Sequence, residues 1–379
     1  TPGCSESPSA VADPAWSVAA SRSQSKPGSS VSIRGYPPAE RIGIASRLHG
    51  RAARERRLRR NRGAFRLVAV VCGRYTFSFK HAITMKFPDR FTVISDEISQ
   101  DLPDLVRFAK EFGLPGYELR SMFGRAFKDL TPADIKEIAK VARGEGWRIF
   151  GCSSPVFKCD IDDAAAVRAH QDEFKRSLGV ALELGCDLVR VFTFLRRSAA
   201  DNAALTPRVV EELRKLDAIA AGTKVRIGVE NEHSCILGSA LEGAQIIAHL
   251  PAPRFGIVWD PCNVLYVPGA PQDPTAGFEA ISGRIHHIHV KDSRRVAPKP
   301  GALQAVATPV GLGDVGWRAH LAQIQRSGYA GNFSLETHWR VVQIDEKDLH
   351  LPAGYGFSRG GIEASRVCLH NLRELLPAA

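Results

Sequence analysis

The chain has 379 residues, 44% of them hydrophobic, and a formal net charge of +11 at pH 7. That length suits one α/β barrel of about 250 residues with extensions, or two smaller domains. The apolar content is ordinary for a protein with a sizeable core, and no apolar run approaches the roughly 20 residues that cross a bilayer, which excludes a helical membrane span.

The charge is not spread evenly. Residues 1–84 hold 15 Lys or Arg against 4 Asp or Glu, so the other 295 residues, with 36 charges of each sign, are neutral. The basicity is densest in RLHGRAARERRLRRNRGAFR, from Arg47 to Arg66. This segment opens rich in Ser, Pro and Ala and lacks sustained apolar periodicity, so residues 1–84 read as a disordered basic N-terminal extension. RLVAVVC, from Arg66, is too short and too far along the chain to serve as a signal peptide. Met85 stands directly before patterned sequence, so the extension reads as the product of a start placed too early, with a genuine basic tail as the alternative. The catalytic body is then residues 85–379. Cys4, Cys72, Cys152, Cys159, Cys186, Cys235, Cys262 and Cys368 form no CxxC pair and no dense framework, which fits a reducing cytoplasm and small buried side chains rather than ligands.

From residue 91 short aliphatic or β-branched runs alternate with segments of helical period, the pattern of repeated βα units. Eight strands are predicted: FTVISDEI from Phe91, GYELRS from Gly116, WRIFGCSS from Trp147, DLVRVFTF from Asp187, KVRIGVEN from Lys224, FGIVWD from Phe255, RIHHIHVKD from Arg284 and NFSLETHW from Asn332. Between them, Thr131-Pro132 and Thr206-Pro207 each offer a capping hydroxyl before proline at a first helical position. Ile135, Ile138, Ala139 and Ala142 make one apolar stripe; Phe174, Leu178, Ala181 and Leu182 make another. Gly113, Gly146, Gly185 and Gly328 stand where helices should end. Eight strands with helical crossovers close most economically into a (β/α)8 TIM barrel, a doubly wound open sheet being the alternative.

In such a barrel, chemistry collects where strands end, so polar residues terminating apolar runs are informative. Glu230 ends RIGVE, Asp260 ends FGIVWD, His289 closes IHHIH and Glu336 ends NFSLE, on strands five to eight. Three carboxylates and an imidazole suit one divalent metal ion such as Mn2+, Mg2+, Co2+ or Zn2+, with positions left for substrate oxygens. Each residue alone has an ordinary reading as a cap, an ion pair or a core histidine; together they point to a metal site. Strand parity leaves Glu232 and His287 on the same faces as Glu230 and His289.

GVENEH, WDPCNV, HHIHVKD, GLGDVGW and SLETHW, in that order, resemble the sugar phosphate isomerase/epimerase family of xylose isomerase-like barrels, over nearly all of residues 90–375. The resemblance implies metal ligation by Glu230, Asp260, His289 and Glu336, with Glu230 and Glu336 as the acid/base pair. It makes Glu232 and His287 outer-shell or substrate contacts and leaves His286 as a helix-facing structural residue. Glu118, Arg120, Lys158, Lys291, Asp292 and Arg295 are further substrate-binding candidates, Arg295 because ketose epimerases of this kind place an arginine six residues after the metal histidine. The GLGDVGW loop should pack beneath the mouth and start the seventh helix. The implied reaction is proton abstraction beside a metal-bound carbonyl of a small sugar-like substrate, giving isomerisation or epimerisation, or dehydration if a β-hydroxyl leaves.

Rival readings are weaker. An endonuclease IV-like enzyme needs three zincs and more histidines, and Asn263 stands where that family has histidine. A catalytically dead binding barrel would have lost a ligand, and nucleic-acid binding would rest on the basic extension alone. Homo-oligomer formation is left open.

Overall fold

The computed structural model describes residues 87 and 89–376 apart from 270, 298–304 and 342–354; the readings made for residues 1–84 and for Met85 lie outside these. Eight parallel strands form one sheet: β1 (Phe91–Val93), β2 (Gly116–Leu119), β3 (Arg148–Ser153), β4 (Leu188–Val191), β5 (Arg226–Glu230), β6 (Phe255–Trp259), β7 (Ile285–Val290) and β8 (Asn332–Leu335). Their order runs β1-β8-β7-β6-β5-β4-β3-β2, and a parallel bridge from Ile94 to Glu118 joins the two ends into a barrel. No described helix is long and apolar enough to cross a membrane.

Helices follow the strands: α1 (Leu102–Phe112), α2 (Pro132–Glu145), α3 (Ala164–Glu183), α4 (Ala199–Ile219), α5 (Ala240–Ile247), the single turn α6 (Phe278–Ile281), α7 (Trp317–Arg326) and α8 (Gly361–Leu375). Thr131 caps α2 as expected, in a reciprocal box with Asp134. Thr206-Pro207 does not begin a helix. Ser198 caps α4 eight residues earlier, its side chain accepting from the Asp201 amide, and Pro207 is carried inside the helix while the Thr206 hydroxyl donates to the Asn202 carbonyl. Gly113, Gly146, Gly185 and Gly328 all take positive φ at helix ends. On the predicted stripes Ile135, Ile138, Phe174, Leu178 and Ala181 are buried, but Leu182 is 50% exposed: it falls one position past the buried edge of α3.

The pleat sorts strand residues into a barrel-filling set and a helix-facing set. Lateral register joins Ser153 to Arg190, Arg190 to Gly228, Val258 to His287 and Ser334 to His289, so these residues share the inner face with Glu230. On the outer face Trp259 is fully buried and donates through Nε1 to His320 Nε2 of α7 at 2.9 Å. Burial of a side chain this large stabilises by roughly 3 kcal/mol. The register slips between Ile257 and Val258 against β7, and the His286 ring fills the space over Gly256.

Candidate metal centre and substrate cavity

The first strand is shorter than its apolar run predicts. After Val93 the chain turns through a single 3-10 turn, Ser95–Glu97, which buries Asp96 and Glu97 against the mouth. Both were read as strand and neither was singled out. Their acidic pair after an apolar run was the available signal.

Glu230, Asp260, His289 and Glu336 converge as the parity of β5 to β8 requires: one donor atom from each lies within 4.8 Å of the others, and all four are buried. His289 Nδ1 stands 3.0 Å from Glu230 Oε1 and 3.5 Å from Glu336 Oε2. Its other nitrogen, Nε2, faces Glu118 at 3.1 Å. Burial opposes charge on this ring, but Glu118 and Glu230 outweigh it and raise the imidazole well above its ordinary value. Burial likewise works against the Glu118 carboxylate, and His289 with His287 overcomes it and holds the group well below the usual range.

Asp260 is locked by its own turn. Its Oδ1 accepts from the amides of Cys262 and Asn263 at 2.9 and 3.1 Å, while Asn231 accepts from its amide and donates to its carbonyl, both at 2.7 Å. The remaining oxygen, Oδ2, is buried and receives no directed hydrogen bond, although Lys291 Nζ lies 2.8 Å away as an ion pair. A buried carboxylate oxygen left this way, among two more carboxylates and an imidazole, fits a divalent cation.

Above these groups opens a cavity of about 440 Å³, whose wall includes Arg120, Lys158, Arg190, Glu230, Lys291 and Glu336. Lys291 bridges Asp260 and Glu336, at 2.8 and 3.1 Å. Arg120 is taken up by Asp96, Glu97 and Glu336. Burial raises the Glu336 carboxyl, but Lys291 and His338 hold it well below its ordinary value. Lys158 Nζ is 3.4 Å from Glu232 Oε1, and Glu232 is fixed further by the Ser234 amide at 2.8 Å and the Ser234 hydroxyl.

Four of the predicted substrate contacts stand elsewhere. Glu118 is 2% exposed, capped by the Ser153 hydroxyl and turned beneath the metal-type group toward both imidazoles. His287 is 1% exposed, with Nε2 3.1 Å from Glu118 and 2.6 Å from the Ser334 hydroxyl. Asp292 spends its carboxylate on backbone: it accepts from the amides of Gly311, Gly313, Val315 and Ser293 at 2.9–3.2 Å. Gly313 approaches so closely that a Cβ there would sit 2.2 Å from Asp292 Oδ1. This is how GLGDVGW is held, and the loop then starts α7, whose Trp317 donates to the Lys291 carbonyl at 2.8 Å. Arg295 points outward and donates to the carbonyls of Pro271 and Gln272 at 2.8 and 2.6 Å. A short turn at Asp292 diverts the chain into an antiparallel hairpin, Asp292–Arg295 with Ala305–Thr308, and carries Arg295 away from the mouth.

Arg190 was missed. A lone charge inside LVRV lies on one sheet face or the other, and only the neighbours' register shows that it turns inward. Asn231 was passed over, and Asn263 was weighed only as a departure from the endonuclease pattern, because amides in ENEH and PCNV look like ordinary loop polarity.

A family pattern described as xylose isomerase-like TIM barrel matches residues 106–359. No curated protein matches the chain by sequence. Among solved structures, the IOLI protein with a bound zinc atom is similar at a TM-score of 0.59 and 16% identity, over 76% of this chain and 98% of that one. A D-allulose 3-epimerase from Methylomonas sp., in complex with D-allulose, gives 0.54 and 16%, over 76% and 99%. A xylose isomerase-like barrel protein from Mycobacterium smegmatis, in complex with magnesium, gives 0.53 and 16%, over 76% and 98%.

Proposed function

We propose, on the premise that the chain belongs to the xylose isomerase-like TIM barrel family, that it is a divalent-metal-dependent isomerase or epimerase of a small sugar-like hydroxy-ketone. The observation that carries this reading is the convergence of Glu230, Asp260, His289 and Glu336 within 4.8 Å, with Glu230 and Glu336 also lining the cavity. These four residues would hold the ion, which when bound supplies Lewis-acid polarisation of a carbonyl. The zinc and magnesium in two similar structures are consistent with such a site, and the D-allulose held by a third is a substrate of the proposed class.

The chain's own groups do the proton work. Glu230 and Glu336 both reach the cavity wall. Lys291 and His338 hold the Glu336 carboxyl well below its ordinary value despite its burial, so it stands as a carboxylate, the form that accepts a proton. Two carboxylates on opposite sides of a substrate carbon allow removal from one face and return to the other, which inverts the centre. Return on the same side moves the carbonyl instead.

Exchange of substrate C–H protons with D2O, followed by NMR on metal-reconstituted protein, tests the reading before any product is known. Glu230→Gln and Glu336→Gln should each cut exchange by about 10²–10⁴-fold, with the loss in turnover rather than substrate affinity. For an epimerase, one variant fails from one epimer and the other from its partner. Near-normal turnover in either would sink the paired-glutamate mechanism.

A further inference from the structure

Arg190 is a charged side chain in the apolar run of β4, and only 5% of it is exposed. Its register beside Ser153 and Gly228 turns it into the barrel, where it forms part of the cavity wall. Nε lies 3.0 Å from Glu230 Oε2 with no directed hydrogen bond, and the guanidinium carbon stands 4.3 Å from the centre of the Phe192 ring. Among the described residues its two Nη nitrogens donate to nothing. Removing a guanidinium from water is costly unless its donors are used, and this one keeps its outer donors for the cavity. Lys158 Nζ lies 5.2 Å from the same ring, so one aromatic carries two cationic heads, although Glu232 screens the lysine. Arg120, by contrast, is committed to three carboxylates.

We propose that Arg190, with Lys158 beside it on Phe192, is an anion-binding fork, and that the substrate is an acidic hydroxy-ketone carrying a carboxylate or a phosphate. A planar guanidinium with two free nitrogens matches the paired oxygens of either group, which a neutral sugar hydroxyl does not. The hydroxy-ketone half of this statement rests on the isomerase or epimerase reading; the anionic half rests on Arg190 alone.

Three achiral probes separate the halves: dihydroxyacetone, its phosphate, and 3-hydroxy-2-oxopropanoate, titrated calorimetrically into Mn2+-loaded protein. One or both anionic probes should bind at least tenfold tighter than dihydroxyacetone, and the one that does identifies phosphate or carboxylate as the group recognised. Arg190→Gln should shrink that ratio to below about twofold, and Arg190→Lys should restore part of it, with bound Mn2+ measured in each variant. Equal binding of all three probes to the wild type overturns the fork, whether or not the variants fold. So does a ratio that survives in Arg190→Gln. C–H exchange measured on the same samples distinguishes the two failures: charge preference without exchange removes the reaction but keeps the subsite, and exchange without charge preference does the reverse.

Discussion

The two halves of the barrel mouth do different work. Strands β5 to β8 each end on a metal-type donor, Glu230, Asp260, His289 and Glu336. The region of β1 to β4 supplies groups that grip those donors from behind or beside: Glu118 behind His289, Arg120 on Glu336, Arg190 on Glu230. Donors crowded at one place repel one another and need neighbours of opposite sign to hold their geometry. One half therefore offers the donors, and the other adds holding groups to those, such as Asn231 and Lys291, that the first half supplies itself.

The sharpest way to break this division is to compare a donor with its holder. His289→Ala should lower Mn2+ affinity by more than about 100-fold, whereas Glu118→Gln, which keeps the shape but weakens the grip on Nε2, should cost roughly 10–100-fold. Metal content after dialysis against graded chelator checks both, and equal losses would erase the distinction between offering and holding. Asp292 gives a second contrast, because it lies three residues from His289 yet serves the backbone. Asp292→Ala strips four amides of their acceptor and should destabilise the fold by about 3 kcal/mol. Urea midpoints report that loss, and an unchanged midpoint would show that the loop holds itself. Smallest of all, Thr131→Ala at the N-terminus of α2 should cost about 1 kcal/mol and leave metal affinity untouched. A change in metal affinity there would mean that the helices do not merely surround the site.

The offering half was far more legible in the sequence than the holding half. A carboxylate ending a β-branched run is a local signal, so Glu230, Asp260 and Glu336 could be read strand by strand. What they touch depends on lateral register, which no stretch of chain contains. Thus Glu118 and His287 were placed against substrate, although they pair with each other beneath the centre, and Arg190 was overlooked, although it borders the cavity. Arg295 differs for another reason: its spacing from His289 assumes a loop that keeps climbing, whereas Asp292–Arg295 pairs with Ala305–Thr308 and the guanidinium donates to the carbonyls of Pro271 and Gln272. The same limit appears in α4, where the Thr206-Pro207 signal is sound chemistry but Ser198 offers an earlier cap, and the longer helix packs Leu205, Val209 and Leu213.

The junction between β1 and β2 has a consequence for motion. Neighbouring strands elsewhere share two to four paired positions, while these two share one, where Ile94 bridges Glu118, beside a side-chain bond from Thr92 to the Gly116 carbonyl. A ring opens first at its thinnest joint, because fewest bonds are broken there. Glu118 is both that joint and the anchor of His289, so a transient opening of the wall would slacken the imidazole at the same moment. Amide hydrogen exchange at Glu118 should therefore slow when metal is added, and the rate at which the ion escapes would be set by the breathing of a seam on the opposite side of the barrel from Asp260.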